Sequence, residues 1–292
     1  MCQFCKEHGE GKIWYLQAKN YSMDLLHTKL NAEQQAIASA RTRDEWIWKF
    51  LGVMSSERPK APQSTPQAPP PRRSEAEIVY RRQVVHFGQV VPLEDVLQVF
   101  DMVDSIVRFP CYCRFHTLGK LDRRYCFGVA ADPNHFWSEF PDPSLSLERL
   151  DKGEATRMLR EFDREGLIHS IWTGVTPFIF GVCNCDHDCL AYGSYILNDG
   201  LPHFFRAEYI GVVDPNMCSG CKSCVKQCQF GAISYSSASS KVHINPKRCF
   251  GCGVCRAACN SDAITLIPRS TVPEAANLWL QNSPLSTSLP TG

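Results

Sequence analysis

Cys218, Cys221, Cys224 and Cys228 are spaced C-x2-C-x2-C-x3-C, and Cys249, Cys252, Cys255 and Cys259 repeat that spacing 31 residues later. Iron in sulfide clusters is tetrahedral, so a cubane needs four soft thiolates converging from four directions. Two intervening residues let a tight turn aim successive sulfurs at one cubane face, while the fourth ligand comes from elsewhere in the chain. Eight thiols in two identical runs therefore point to two iron–sulfur clusters and to single-electron chemistry. Zinc also accepts four thiolates, but runs of three cysteines with a separate fourth favour clusters. The duplication extends beyond the sulfurs. Pro215 and Pro246 each precede a first cysteine by three residues, Gly220 and Gly251 each precede a second, and Ala232-Ile233 matches Ala263-Ile264.

Over about residues 206–269 this pattern resembles the bacterial two-cluster ferredoxins. The resemblance implies two [4Fe–4S] clusters, close enough for rapid electron hopping, with each run giving its fourth cysteine to the other cluster. On that basis Cys218, Cys221, Cys224 and Cys259 hold one cluster, and Cys249, Cys252, Cys255 and Cys228 hold the other. The family usually has proline after the fourth cysteine, where this chain has Gln229 and Asn260. Gly220 and Gly251 are expected to let backbone pass close to a cubane. Ile210, Val212, Val213, Phe230, Ile233, Val242, Ile244, Ile264 and Leu266 are expected to wall off solvent.

Further cysteines stand outside these runs. Cys111, Cys113, Cys126, Cys183, Cys185 and Cys189 lie in the middle of the chain, two pairs of them as C-x-C. Residues two apart on a strand share a face, so the two pairs can point four sulfurs into one site, with Cys126, Cys189 and His187 as additional ligands. That would be a third metal or cluster. Buried thiols packing as small hydrophobes and a redox-active dithiol are the alternatives. Cys2, Cys5 and His8 form a weaker set at a terminus, short of a fourth ligand. His86, His116, His135, His169 and His203 show no informative spacing, and there is no phosphate-cradling loop, nucleophile elbow or hydrolytic triad.

The elements that must position these sulfurs give an α+β chain. Residues 1–54 open with C-x-x-C and continue as a helical segment capped by Ser22. Residues 55–75 are a Pro-rich linker, since proline removes donors and holds the chain extended. Residues 76–205 form a cysteine-bearing α+β domain with a small antiparallel sheet. In it, Pro92 starts a helix whose stripe runs from Leu93 to Val107, and Asp151 with Glu154 caps a second that ends before Gly166. Strands are expected over Val107–Arg114, Tyr125–Ala130, Leu167–Trp172 and Phe178–Cys183. Residues 206–269 are the ferredoxin-like module, and 270–292 a mostly polar tail.

The chain has 292 residues, 16 of them cysteine, and 31 lysines plus arginines against 30 acidic residues. That balance argues against a concentrated basic face and against nucleic acid as a partner. It also weakens a third reading, a redox-sensing regulator built on the acidic helix before Gly166. No apolar run is long enough for a membrane span, and the first residues lack a signal-peptide core. So many thiols suit a reducing, anaerobic cytoplasm. The leading reading is an electron-transfer protein, either a carrier or a subunit of a larger complex, that serves redox partner proteins. The alternative is an oxidoreductase whose middle domain carries the active site and is fed by the ferredoxin-like module.

Overall fold

The computed structural model describes residues 13–22, 88–111, 113–114, 118, 122–131, 147–175, 178–189 and 204–278. The Pro-rich linker, the helical segment after Ser22 and the set Cys2, Cys5 and His8 lie outside these residues.

Pro92 takes an extended conformation and starts α1 (Leu93–Met102). Glu94 and Asp95 occupy its first turn, where negative charge is favourable, and Val96, Val99 and Phe100 form its buried stripe. The helix stops earlier than the apolar pattern suggests. Val103 is already extended, and Ile106 and Val107 belong to β2 (Ser105–Phe109) instead. β-Branched side chains lose little in a strand, and pairing with a neighbour satisfies the backbone. α2 (Lys152–Glu165) begins as expected, with Asp151 Oδ1 accepting from Glu154 N at 2.7 Å. It ends at Gly166, whose φ of 85° lets its N–H reach Asp163 O while Leu167 N–H reaches Phe162 O.

The remaining strands are β1 (Gly88–Val90), β3 (Cys126–Ala130), β4 (Glu148–Leu150), β5 (Ile168–Val175), β6 (Phe178–Cys185) and β7 (Phe204–Phe205). Among the described residues they make a seven-stranded sheet of order β4-β2-β3-β6-β5-β1-β7. Its pairs are antiparallel except β1 with β7. Both helices pack on it. Phe100 meets Phe127 edge-on at 5.4 Å and Tyr125 meets Phe162 at 5.0 Å, inside a core that includes Leu159, Ile171 and Val182.

Residues 13–22 enter the same core. Trp14, Tyr15 and Tyr21 are buried in it, and Ser22 bridges to Ala131. The polar tips of these three aromatic side chains have partners. Trp14 Nε1 donates to Gln89 Oε1 at 2.7 Å, and Tyr21 Oη to Tyr15 O at 2.7 Å. Tyr15 Oη donates to Asp95 Oδ2 at 2.5 Å, and Tyr209 reaches the other oxygen of Asp95 at 3.3 Å. One carboxylate thus joins the N-terminal segment, α1 and the C-terminal module.

Burial pushes the Asp95 carboxyl up to about 6, and the hydroxyls of Tyr15 and Tyr209 only partly offset it. A carboxyl whose pKa is raised by folding contributes stability at low pH that is lost as pH rises through the folded value. Between about pH 5 and about pH 7.5 the protein should lose about 1 kcal/mol on this account. Asp95→Asn should flatten that slope in denaturant midpoints read by tryptophan fluorescence; an unchanged slope would refute the assignment.

Candidate metal centres

The C-terminal module builds its repeat from two antiparallel pairs. β8 (Tyr209–Val213) pairs with β11 (Ile264–Pro268), and β9 (Ile233–Ser236) with β10 (Lys241–Ile244). Two short helices, α3 (Ser223–Gln227) and α4 (Val254–Ala257), follow the second cysteines. Matched hydrogen bonds carry the 31-residue repeat into space. Asp214 N donates to Ala263 O and Asn245 N to Ala232 O, both at 2.8 Å. Ala232 N points at Cys228 Sγ and Ala263 N at Cys259 Sγ, both at 3.3 Å.

The paired glycines obey the same symmetry for a reason the sequence reading did not supply. Gly220 and Gly251 have φ of 72° and 76°. A Cβ on Gly220 would stand 2.3 Å from Ser240 O, and one on Gly251 would stand 2.1 Å from Tyr209 O. The close approach is to backbone of the other half of the repeat, the turn before β10 for Gly220 and β8 for Gly251.

Two cavities result. One is lined by Cys218, Cys221, Cys224 and Cys259 together with Val213, Val242 and Ile264. The other is lined by Cys228, Cys249, Cys252 and Cys255 together with Phe230, Ile233, Ile244 and Leu266. Each cavity therefore collects three sulfurs of one run and the last of the other. Among the described residues no three Cys, His, Asp or Glu side chains converge as a single-ion site requires.

The cavities differ in their surroundings. Cys221 is exposed, and the N–H of Ser223 lowers its thiol. Cys252 and Cys255 are buried, and burial pushes both thiols up. Beside the second cavity lie two buried arginines. Arg206 Nη1 donates to Cys249 O at 3.1 Å and its guanidinium covers the Phe250 ring at 4.2 Å. Arg269 donates to Ala207 O, Tyr209 O and Cys249 O. Burial pushes each down to about 10, so both remain charged at neutral pH.

The second cavity also faces the seven-stranded sheet and α2. Arg256 pairs with Glu94 at 2.7 Å, and Gln227 Nε2 reaches Arg164 O at 3.4 Å. Gln229, which stands where proline is usual, donates its amide to Gly166 O at the end of α2. At Gly166, with φ of 85°, a Cβ would stand 2.3 Å from Gln227 Nε2 and push that side chain aside. Gly166→Ala should cost about 1–2 kcal/mol from the left-handed backbone, plus the displaced glutamine. Differential unfolding of the variant would test this; a loss below about 0.5 kcal/mol would contradict it.

The middle-chain thiols come together at one end of the sheet. Cys126 begins β3, Cys183 and Cys185 end β6, and Cys111 lies just past β2. The expected strand through Arg114 instead stops at Phe109, because Pro110 has no N–H to continue the ladder. Cys111 and Cys113 therefore do not share a strand face. Cys111 Sγ lies 3.4 Å from Cys126 Sγ, and Cys185 Sγ 3.4 Å from Cys189 Sγ. Thiol contacts also join Cys126 to Cys183, Cys183 to Cys185, and Cys189 to Cys113. His187 is exposed on the turn between Cys185 and Cys189. His169 is buried and bonded through Nδ1 to Asn184 Oδ1 at 2.6 Å, a packing role.

Sequence reasoning passed over Arg114, Arg206, Arg269 and the docking role of Gln229. Arginine next to Cys113 was the only local hint for the first. Nothing local distinguished Arg206 or Arg269 from solvated charge.

Residues 217–264 match the family model described as a 4Fe-4S dicluster domain. This stretch is an iron–sulfur, ferredoxin-like domain, and iron–sulfur electron transfer is the chemistry it suggests. No curated protein matches the chain. Among the described residues no helix is long and apolar enough to cross a membrane.

Proposed function

We propose that this protein relays single electrons through two [4Fe–4S] clusters with crossed ligation, Cys218, Cys221, Cys224 and Cys259 holding one and Cys249, Cys252, Cys255 and Cys228 the other. The observation that carries this reading is the sorting of the eight sulfurs into two cavities, three from one run and one from the other in each. Such clusters, when bound, take up and release one electron apiece. The chain supplies apolar walls, N–H groups aimed at Cys228, Cys249 and Cys259, and charge.

The charge gives the relay a direction. Arg206 and Arg269 are buried beside the second cavity, where a low dielectric strengthens their attraction for an added electron. Lys222 at the first cavity is exposed and its field is screened. The first cavity, with Cys221 and Met217 at the surface, is the terminal that a redox partner protein reaches. The second faces inward, toward the middle domain.

Anaerobically purified protein should carry, in these two sites, about eight irons and as many acid-labile sulfides. Cys218→Ala and Cys259→Ala should each remove about four of these irons, and the double variant should remove no more than either alone. Loss of all eight in the double variant would mean that the two residues serve different clusters. Zinc in place of iron would sink the electron-transfer reading.

A further inference from the structure

We propose that the mouth of the first cavity is the docking site for an acidic redox protein, which binds over Lys222, Lys226 and Lys241 and exchanges one electron with the cluster behind them. That electron comes from the two-cluster relay, on which this docking face rests.

Charge is spread unevenly along the chain. The total of 31 basic against 30 acidic residues is nearly balanced, yet residues 215–261 hold six lysines and arginines and no aspartate or glutamate. In the middle domain and at its interface with the module, cations meet carboxylates. Arg108 and Arg124 pair with Glu148, Arg114 with Asp186, Arg157 with Glu161 and Arg256 with Glu94. Among the described residues no such carboxylate stands against Lys222, Lys226 or Lys241.

The fold gathers these three on one face. Lys222 lines the first cavity and stands over the Tyr235 ring of β9 at 4.0 Å. Lys241, the first residue of β10, donates to Cys218 O at 2.5 Å. Lys226 follows Lys222 by one turn of α3 and is exposed. The two carboxylates that bracket the stretch, Asp214 and Asp262, lie at the β8–β11 end, where Asp214 N donates to Ala263 O at 2.8 Å. The mouth is thus cationic on its β9–β10 side and anionic on its β8–β11 side. A field divided in this way orients a charged partner as well as attracting it. The first cluster, when bound, is anionic, but Lys222 and Lys226 are exposed and are met first by an approaching protein.

The centre of the face is apolar. Met217, next to Cys218, is 49% exposed, and Cys221 is exposed as well. Interfaces between proteins combine such a centre with a polar rim, and a flexible thioether adapts to the surface it meets. Single-stranded nucleic acid is held by aromatic faces open for stacking, whereas Tyr235 is half-buried beneath Lys222. An acidic protein surface is the occupant that suits both the lysines and the methionine.

Stopped-flow oxidation of the reduced, full-length protein by an acidic plastocyanin and by a basic cytochrome c tests this. In each reaction one electron leaves a cluster for the acceptor's metal, and no atom is transferred. The plastocyanin rate should fall at least about tenfold between about 20 mM and about 200 mM salt, while the cytochrome rate stays level or rises. Lys226→Glu should slow the plastocyanin reaction about threefold or more at low salt, and leave oxidation by a neutral quinone unchanged. A plastocyanin rate indifferent to salt or to Lys226→Glu, or a cytochrome reaction favoured by low salt, would overturn the docking face while leaving the relay intact. Inhibition by an RNA oligonucleotide at about 1 µM would assign the face to nucleic acid and overturn it too. Failure to reduce even the quinone would strike the relay, and the docking face with it.

Discussion

Gly251→Ala is expected to cost the protein the second cavity's complement, about four irons, while the first cavity keeps its own. Two effects add at this residue. Its φ of 76° disfavours any side chain by about 1–2 kcal/mol. Its Cβ would also stand 2.1 Å from Tyr209 O, a backbone atom that no rotamer change can move aside. Relief requires β8 to shift, yet Tyr209 is held by Asp95 through its hydroxyl and by Arg269 through its carbonyl. The loop carrying Cys249 and Cys252 must give way instead. Gly253 is the internal control. It has a similar φ of 81°, but a Cβ there meets the flexible end of Arg256 at 2.8 Å. Gly253→Ala should retain iron. Equal iron loss in the two variants, by metal analysis, would show that backbone crowding is not what matters.

Arg269→Ala should destabilise the protein by about 3–5 kcal/mol and make its second cluster the first to be lost in denaturant. The side chain is fully buried and ties together three carbonyls, Ala207 O at 2.7 Å and Tyr209 O and Cys249 O at 3.0 Å each. Each acceptor left unpaired costs about 1–3 kcal/mol, and the vacated volume adds to this. Arg269→Lys should recover only part of the loss, because a single ammonium cannot reproduce the planar fork. If the protein folds, the second cluster should also become harder to reduce, since one of two buried positive charges is weakened in reach. Denaturant midpoints and potentiometric titration test the two halves. A loss below about 1 kcal/mol for Arg269→Ala would contradict the structural role.

Gln229 illustrates how a departure from a family pattern acquires meaning only in three dimensions. Along the chain it is a polar residue where proline is usual. In the fold it caps the end of α2 through Gly166 O and fixes the ferredoxin-like module against the middle domain. The same interface uses Arg256 with Glu94, residues separated by more than half the chain. Such a pair leaves no local signal.

Helix α2 was legible to the residue at both ends, because Asp151, Glu154 and Gly166 act on their immediate neighbours. The end of α1 was not. Its apolar stripe runs on through Ile106 and Val107, and only the available strand partners, β3 and β4, decide that these residues extend. The core position of Trp14 and Tyr15 was equally hidden, since their partners Gln89 and Asp95 lie far along the chain.

The sequence by itself determined the chemistry of the C-terminal module. Ligand type and spacing are local properties, and eight cysteines in two matched runs point to iron–sulfur chemistry whatever surrounds them. Tertiary structure decided the rest: which sulfurs share a cavity, which cavity meets solvent, and which lies beside two buried arginines. It also gathered six scattered thiols into one row at the end of a sheet. Antiparallel pairing brings distant strand ends together, and no spacing along a chain encodes that meeting.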